Sequence, residues 1–156
     1  MKSIHSWLDE YGESHQNATN KTIHWICVPS IMISLLGLLW AIPVPQAFAN
    51  VGPLLNWATI FIVAATLYYL ALSPQLAFGM LPVVAGMLAV NYLIWLAVGS
   101  YIWLVALVIF AAAWVGQFVG HNIEGKKPSF LKDVQFLLIG PLWLMSFIYR
   151  SVGIKY

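Results

Sequence analysis

Between Lys21 and Glu124 the chain contains no aspartate, glutamate, lysine or arginine. That gap excludes an ordinary soluble domain, whose helices carry a charged face, and only 8% of residues are charged against about 25% in soluble proteins. It also argues against a proton relay through the middle of a helix bundle, which needs ionisable groups inside the spans. Basic runs are equally absent, so nucleic acid is not expected as a partner. One cysteine, Cys27, rules out an internal disulfide and reads as a small apolar residue.

What fills the gap is hydrophobic: 62% of the chain, with a mean hydropathy of +0.85. Most of this surface must be solvated by lipid. The sequence therefore predicts an all-α, polytopic membrane helix bundle forming one integral membrane domain over residues 1–156. Residues 1–23 form an interfacial helix and a histidine motif. Residues 24–121 contain four spans, near His24–Ile42, Leu54–Leu72, Leu76–Val98 and Tyr101–His121. Each approaches the ~20 residues that cross a hydrocarbon core. Residues 122–156 supply a cytoplasmic loop and a C-terminal apolar helix, near Val134–Tyr149, kinked or re-entrant at Gly140-Pro141. Tryptophans and tyrosines toward the segment ends match an interfacial aromatic belt.

Residues 1–20 place Ile4, Trp7, Leu8 and Tyr11 on one side of a helix, and the same stripe continues to His15. Such a helix lies in the headgroup layer. No basic start, apolar core and small-residue exit is apparent there, so this segment reads as part of the working protein. Asn20 or Thr19 is expected to cap the first span, leaving His24 in its opening turn.

Crossing number then groups the polar residues. Four crossings bring the chain back to its starting side, so His15 and His24 share a face with His121 and Glu124. Lys2, Lys21, Lys126, Lys127 and Lys132 share it too, and the positive-inside rule assigns that face to the cytoplasm. Within QFVGHNIEGKKP, Gln117, His121 and Glu124 lie on one side of a helix. A histidine and a carboxylate three apart is a spacing used by di-iron bundles, although there the carboxylate comes first. The competing reading is an interfacial histidine bonded to a nearby carboxylate. His15 and His24 would face opposite ways on an unbroken helix, so joint ligation requires a turn in the ATNK stretch. Imidazole with carboxylate suits Fe, Zn or Mn more than Ca or Mg.

HQNATNKTIH, an H-x-N-x-x-N-x-x-x-H pattern followed by Val28-Pro29, together with QFVGHNIEGKKP and Gly140-Pro141, resembles the family of small membrane 2-hydroxy fatty acid dioxygenases typified by the yeast endoplasmic-reticulum enzyme. The two motifs bracket the spans, so the resemblance covers essentially the whole chain. It implies an iron(II)-dependent enzyme that uses O2 to convert 2-hydroxy fatty acids into acids one carbon shorter. His15, His24 and His121 match the family histidines, and Asn17, Asn20, Gln117, Gly120, Glu124 and Pro128 match their surroundings. His5 lies outside the motif. The run PLWLMSFIYR lacks the acidic residue that many members carry there.

On this reading His15, His24 and His121 bind Fe(II), and Glu124 is either a further ligand or the acceptor that fixes an imidazole. Asn17, Asn20 and Gln117 are candidates for substrate hydrogen bonds, and Lys126 for attracting the carboxylate. The alternative is a non-enzymatic transporter or scaffold with a structural or pH-sensing histidine site; a bis-histidine haem protein is a third. The compact chain suggests a bacterial inner membrane, or the endoplasmic reticulum in a eukaryotic host.

Overall fold

The computed structural model describes residues 2–125, 134 and 136–156, and within them the protein is helical, with no strand. α1 (Ile4–Gly12) begins where Ser3 Oγ accepts the backbone N–H of Ser6 at 3.2 Å. It buries Ile4, Leu8 and Tyr11, the i, i+4, i+7 stripe of an amphipathic helix. Its outer side carries an ion pair between Lys2 and Glu10.

α2 (Ala18–Trp40) starts earlier than the hydrophobic pattern predicts. Asn17 takes the cap, its Oδ1 accepting the N–H of Thr19 at 2.8 Å and of Asn20 at 3.4 Å. ATNK is consequently helical. The turn needed between His15 and His24 lies before it, at Ser14–Asn17, and His24 stands inside the helix rather than in its opening turn.

A short α3 (Gln46–Ala49) interrupts the following loop, and α4 (Trp57–Leu72) is capped by Asn56. α5 (Pro74–Val98) opens with Ser73 as cap and Pro74 in the first turn, where a missing N–H breaks no helical bond. Gly99, at φ 57°, ends it in a left-handed backbone that only glycine adopts cheaply. A 3-10 turn, Gly99–Tyr101, leads into α6 (Ile102–Glu124), which Gly125 terminates at φ 72°. The chain reverses at Gly99. A Cβ added to Gly37 of α2 would sit 2.8 Å from Asn91 Oδ1 and 2.9 Å from Ala106 Cβ, so α5 and α6 flank the same point of α2.

Among the described residues, two helical stretches are long and apolar enough to cross a membrane: Ala18–Trp40, and Pro74–Glu124 with its reversal at Gly99. α4 is apolar but shorter. Val63, Leu67, Leu93, Val108 and Val115 each expose more than half of their surface, an outward face suited to lipid. Inside, Asn91 Nδ2 donates to the carbonyls of Ile33, at 3.1 Å, and Met87, at 3.0 Å, tying α5 to α2.

α7 (Ile139–Ser151) differs from the expected tail. Gly140-Pro141 stands in its first turn, where proline introduces no kink. Thirteen residues reach about 20 Å, short of a hydrocarbon core about 30 Å thick. All of Ile139 to Ser146 is buried, and the helix packs against α1, α5 and α2.

Candidate metal centre

Three elements deliver one imidazole each. His15 follows α1 in the turn before α2; His24 lies on the inward face of α2, one turn after Asn20; His121 lies in the last turn of α6. All three are buried, at 3%, 1% and 5% exposure, and one ligand atom from each lies within 4.8 Å of the others. Ring centroids are 4.2 Å apart for His15 and His24, 5.3 Å for His15 and His121, and 5.2 Å for His24 and His121.

Two rings are oriented by backbone carbonyls. His15 Nδ1 donates to the Tyr11 carbonyl at 2.5 Å and His24 Nδ1 to the Asn20 carbonyl at 2.9 Å. A proton held on Nδ1 leaves Nε2 with its lone pair. His15 Nε2 is buried and has no hydrogen-bond partner, a costly state for a polar atom unless something else satisfies it. Burial pushes the His15 imidazole down from its usual 6.5 to about 3; His24 lowers it further, the Tyr11 carbonyl opposes this, and His121 lowers it again. The ring is therefore neutral at physiological pH, the form that binds metals.

The donor set fits a first-row transition metal. Metal to nitrogen bonds of about 2.0–2.1 Å hold two donors on one ion at most about 4.2 Å apart. Three donors on one tetrahedral ion stand about 3.4 Å apart, so pairs that lie within 4.8 Å here need to close by up to about 1.4 Å. Tyr11 stacks on His15 at 4.2 Å and Trp143 lies 5.1 Å from it, so aromatic faces shield this side of the cluster from water.

Glu124 is placed beside the cluster with both oxygens engaged. Oε1 accepts the backbone N–H of Gln16 at 2.8 Å; Oε2 accepts the N–H of Asn17 at 2.9 Å and the Asn20 side-chain amide at 3.0 Å. Asn20 also donates to the Ser14 carbonyl at 3.1 Å. The carboxylate thus clasps the turn that carries His15. Gly120 permits this approach, since a Cβ there would overlap Asn20 Oδ1.

Gln117 is buried one turn before His121, with Oε1 unpartnered, and lines a small cavity of about 30 Å³ beside Tyr11 and Trp114. Asn17 is engaged in capping. Lys126 lies outside the described residues, as do Lys127, Pro128 and Lys132. Sequence reasoning passed over Tyr11 and Trp143 as parts of the site. Tyr11 stands four residues before His15, a spacing that foretells a contact across one helical turn; Trp143 carries no comparable signal.

These features define a class: a helical bundle with membrane-type surfaces, closed at one end around three buried imidazoles suited to a metal ion. Comparison with known proteins narrows it. A family model described as "2-hydroxy-palmitic acid dioxygenase Mpo1-like" matches residues 1–152, and the chain belongs to this Mpo1-like family. It is similar to the "2-hydroxy-palmitic acid dioxygenase MPO1" of Saccharomyces cerevisiae, with 27% identity over 153 residues, covering 96% of this chain and 82% of that protein. No solved structure matches the chain. The family inferred from the two histidine motifs is the family found.

Proposed function

We propose that the protein is an iron(II)-dependent membrane dioxygenase that carries out alpha-oxidation of 2-hydroxy fatty acids to acids one carbon shorter. The observation that carries this reading is the gathering of three buried histidines, one ligand atom of each within 4.8 Å of the others, with His15 Nε2 buried and lacking a hydrogen-bond partner. Membership of the Mpo1-like family and the name of its yeast relative, a 2-hydroxy-palmitic acid dioxygenase, support the substrate class.

His15, His24 and His121 would hold the ion through imidazole nitrogens. Iron(II), when bound, supplies the redox chemistry that lets O2 react with a closed-shell organic acid; three imidazoles suit iron as they do zinc, copper or nickel, and zinc lacks that chemistry. The carbonyls of Tyr11 and Asn20 fix the tautomers of His15 and His24. Glu124 acts as an orienting acceptor, pinning the Gln16 and Asn17 amides so that the His15 ring stays turned toward its partners. Asn20 relays the clasp to α2, and Asn17 fixes where that helix begins. Gln117 Oε1 offers an acceptor for the substrate 2-hydroxyl. Lys126, just beyond α6, attracts the carboxylate from the water side.

The overall conversion, R-CH(OH)-COOH + O2 → R-COOH + CO2 + H2O, balances without another reductant, because C1 and C2 supply all the electrons that O2 accepts. The C1–C2 bond breaks, and the former hydroxyl carbon becomes the new carboxyl. In this reading the bundle crosses the membrane four times, with the histidine end on the cytoplasmic side of a bacterial inner membrane, or of the endoplasmic reticulum in a eukaryote.

Purified, iron-loaded protein in detergent micelles should consume O2 when given a long-chain 2-hydroxy fatty acid and release the shortened acid. Metal-loaded protein that forms no shortened acid from any chain length contradicts the assignment.

A further inference from the structure

A second cavity, of about 120 Å³, lies between α2, α5 and α7. The chain has five methionines, and every one after Met1 lines this space: Met32, Met80, Met87 and Met145. Among the described residues no charged side chain contributes to it, and Trp25 carries the only side-chain N–H or O–H group in the lining. Methionine is unbranched and polarisable, and it concentrates where a surface must adapt to flexible apolar ligands.

Its position relative to the histidines gives it a use. Val28 and Met32 line both this cavity and the small one that holds Gln117. His24, Val28 and Met32 are spaced by four residues along α2, forming one row that leads from the imidazole cluster into the bundle over about 12 Å. The two cavities are adjacent also across α7, where Gly140 lines one and Pro141 the other. At the far side Trp25 and Ile148, 41% and 43% exposed, form a mouth on the outer surface of the bundle.

We propose that this methionine-lined cavity is the lateral entry and tail groove for the alkyl chain of the 2-hydroxy acid. The inference rests on the function proposed above. The acid enters from lipid between Trp25 and Ile148, its carboxyl end passes Val28 and Met32 to reach Gln117 and the histidines, and its chain remains along Met80, Met87 and Met145. Rotation of the Met32 side chain joins the two cavities. Lipid tails are as apolar as this lining, so the groove gains little by the hydrophobic effect. Its contribution is alignment, and its open mouth lets chains of different length end in lipid.

A 2-hydroxy fatty acid with a diazirine at mid-chain, irradiated with the metal-loaded full-length protein in lipid nanodiscs, tests the groove independently of turnover. Adducts mapped by peptide mass spectrometry should fall on residues of α2, α5 and α7 that line the cavity, and excess unlabelled 2-hydroxypalmitate should suppress them. Labelling confined to the outer faces of α4 and α6, at positions such as Leu67 and Val108, or insensitive to competitor, would overturn the proposal. Met145→Trp and Met80→Trp should each lower kcat/KM for 2-hydroxypalmitate relative to 2-hydroxyhexanoate by about tenfold or more, because the indole displaces the long chain and misaligns its reacting end. An unchanged ratio in both variants, with metal content at the wild-type level, counts against it. Competed labelling in the cavity without turnover of any 2-hydroxy acid upholds the groove and refutes the reaction; turnover with labelling elsewhere does the reverse.

Discussion

Glu124 Oε2 accepts the backbone N–H of Asn17 at 2.9 Å across 107 positions of sequence. This contact joins the end of α6 to the turn that presents His15, and it makes the carboxylate part of the site's scaffold. Replacing Glu124 with alanine frees that turn, and metal affinity should fall about 10–100-fold, as it does when outer partners of metal ligands are lost. Glu124→Gln retains one carbonyl acceptor and should lose less. Metal titration of the two variants measures the difference, and equal losses would contradict the clasp.

The neutral state of His15 predicts a pH dependence in the metal-free protein. In the unfolded chain the ring titrates near 6.5, whereas burial, aided by His24, lowers it to about 3 in the fold. Below pH 6.5 the unfolded state takes up a proton that the native state refuses, so stability falls as pH drops toward 3 and is level above 6.5. The slope is at most about 1.4 kcal/mol per pH unit. Urea unfolding of the apoprotein in detergent should show this, and His15→Asn should flatten it. A pH-independent midpoint in the unaltered protein would contradict the burial of a neutral ring.

Gly120→Ala sets a methyl group against Asn20 Oδ1. Asn20 must move, and with it the amide that bonds Glu124. Overpacking of this kind costs about 1–3 kcal/mol. Thermal unfolding should register the loss, accompanied by weaker metal binding; full retention of both would show that α2 and α6 are not closely packed here.

Asn91→Ala removes the amide that α5 donates to the Ile33 carbonyl of α2. Polar contacts between membrane helices contribute about 0.6 kcal/mol on average and up to about 1.7. Denaturation should report a loss on that scale, with metal content unchanged because the contact lies far along α2 from His24.

The distribution of charge and hydropathy made the helical character and the apolar outer surface legible, and the two histidine motifs made the family legible. Counting crossings brought His121 to the side of His15 and His24, and the three rings do gather. Other parts were hidden for physical reasons. The start of α2 depended on which of three neighbouring capping residues captured the free amides, and Asn17 rather than Asn20 or Thr19 did so. The sequence left Glu124 open between ligand and orienting acceptor, because two of its three hydrogen-bond donors are backbone N–H groups, which leave no mark in a sequence. The tail from Val134 read as almost a span, yet its helix starts at Ile139, with proline in the turn where a missing donor is harmless.

The central claim is that His15, His24 and His121 together hold a metal. Its most direct test is elemental analysis of the purified protein beside a variant with all three replaced by alanine. The account predicts a near-stoichiometric first-row transition metal in the first and its loss in the second, with helical content by circular dichroism retained. Equal metal content in both would contradict it.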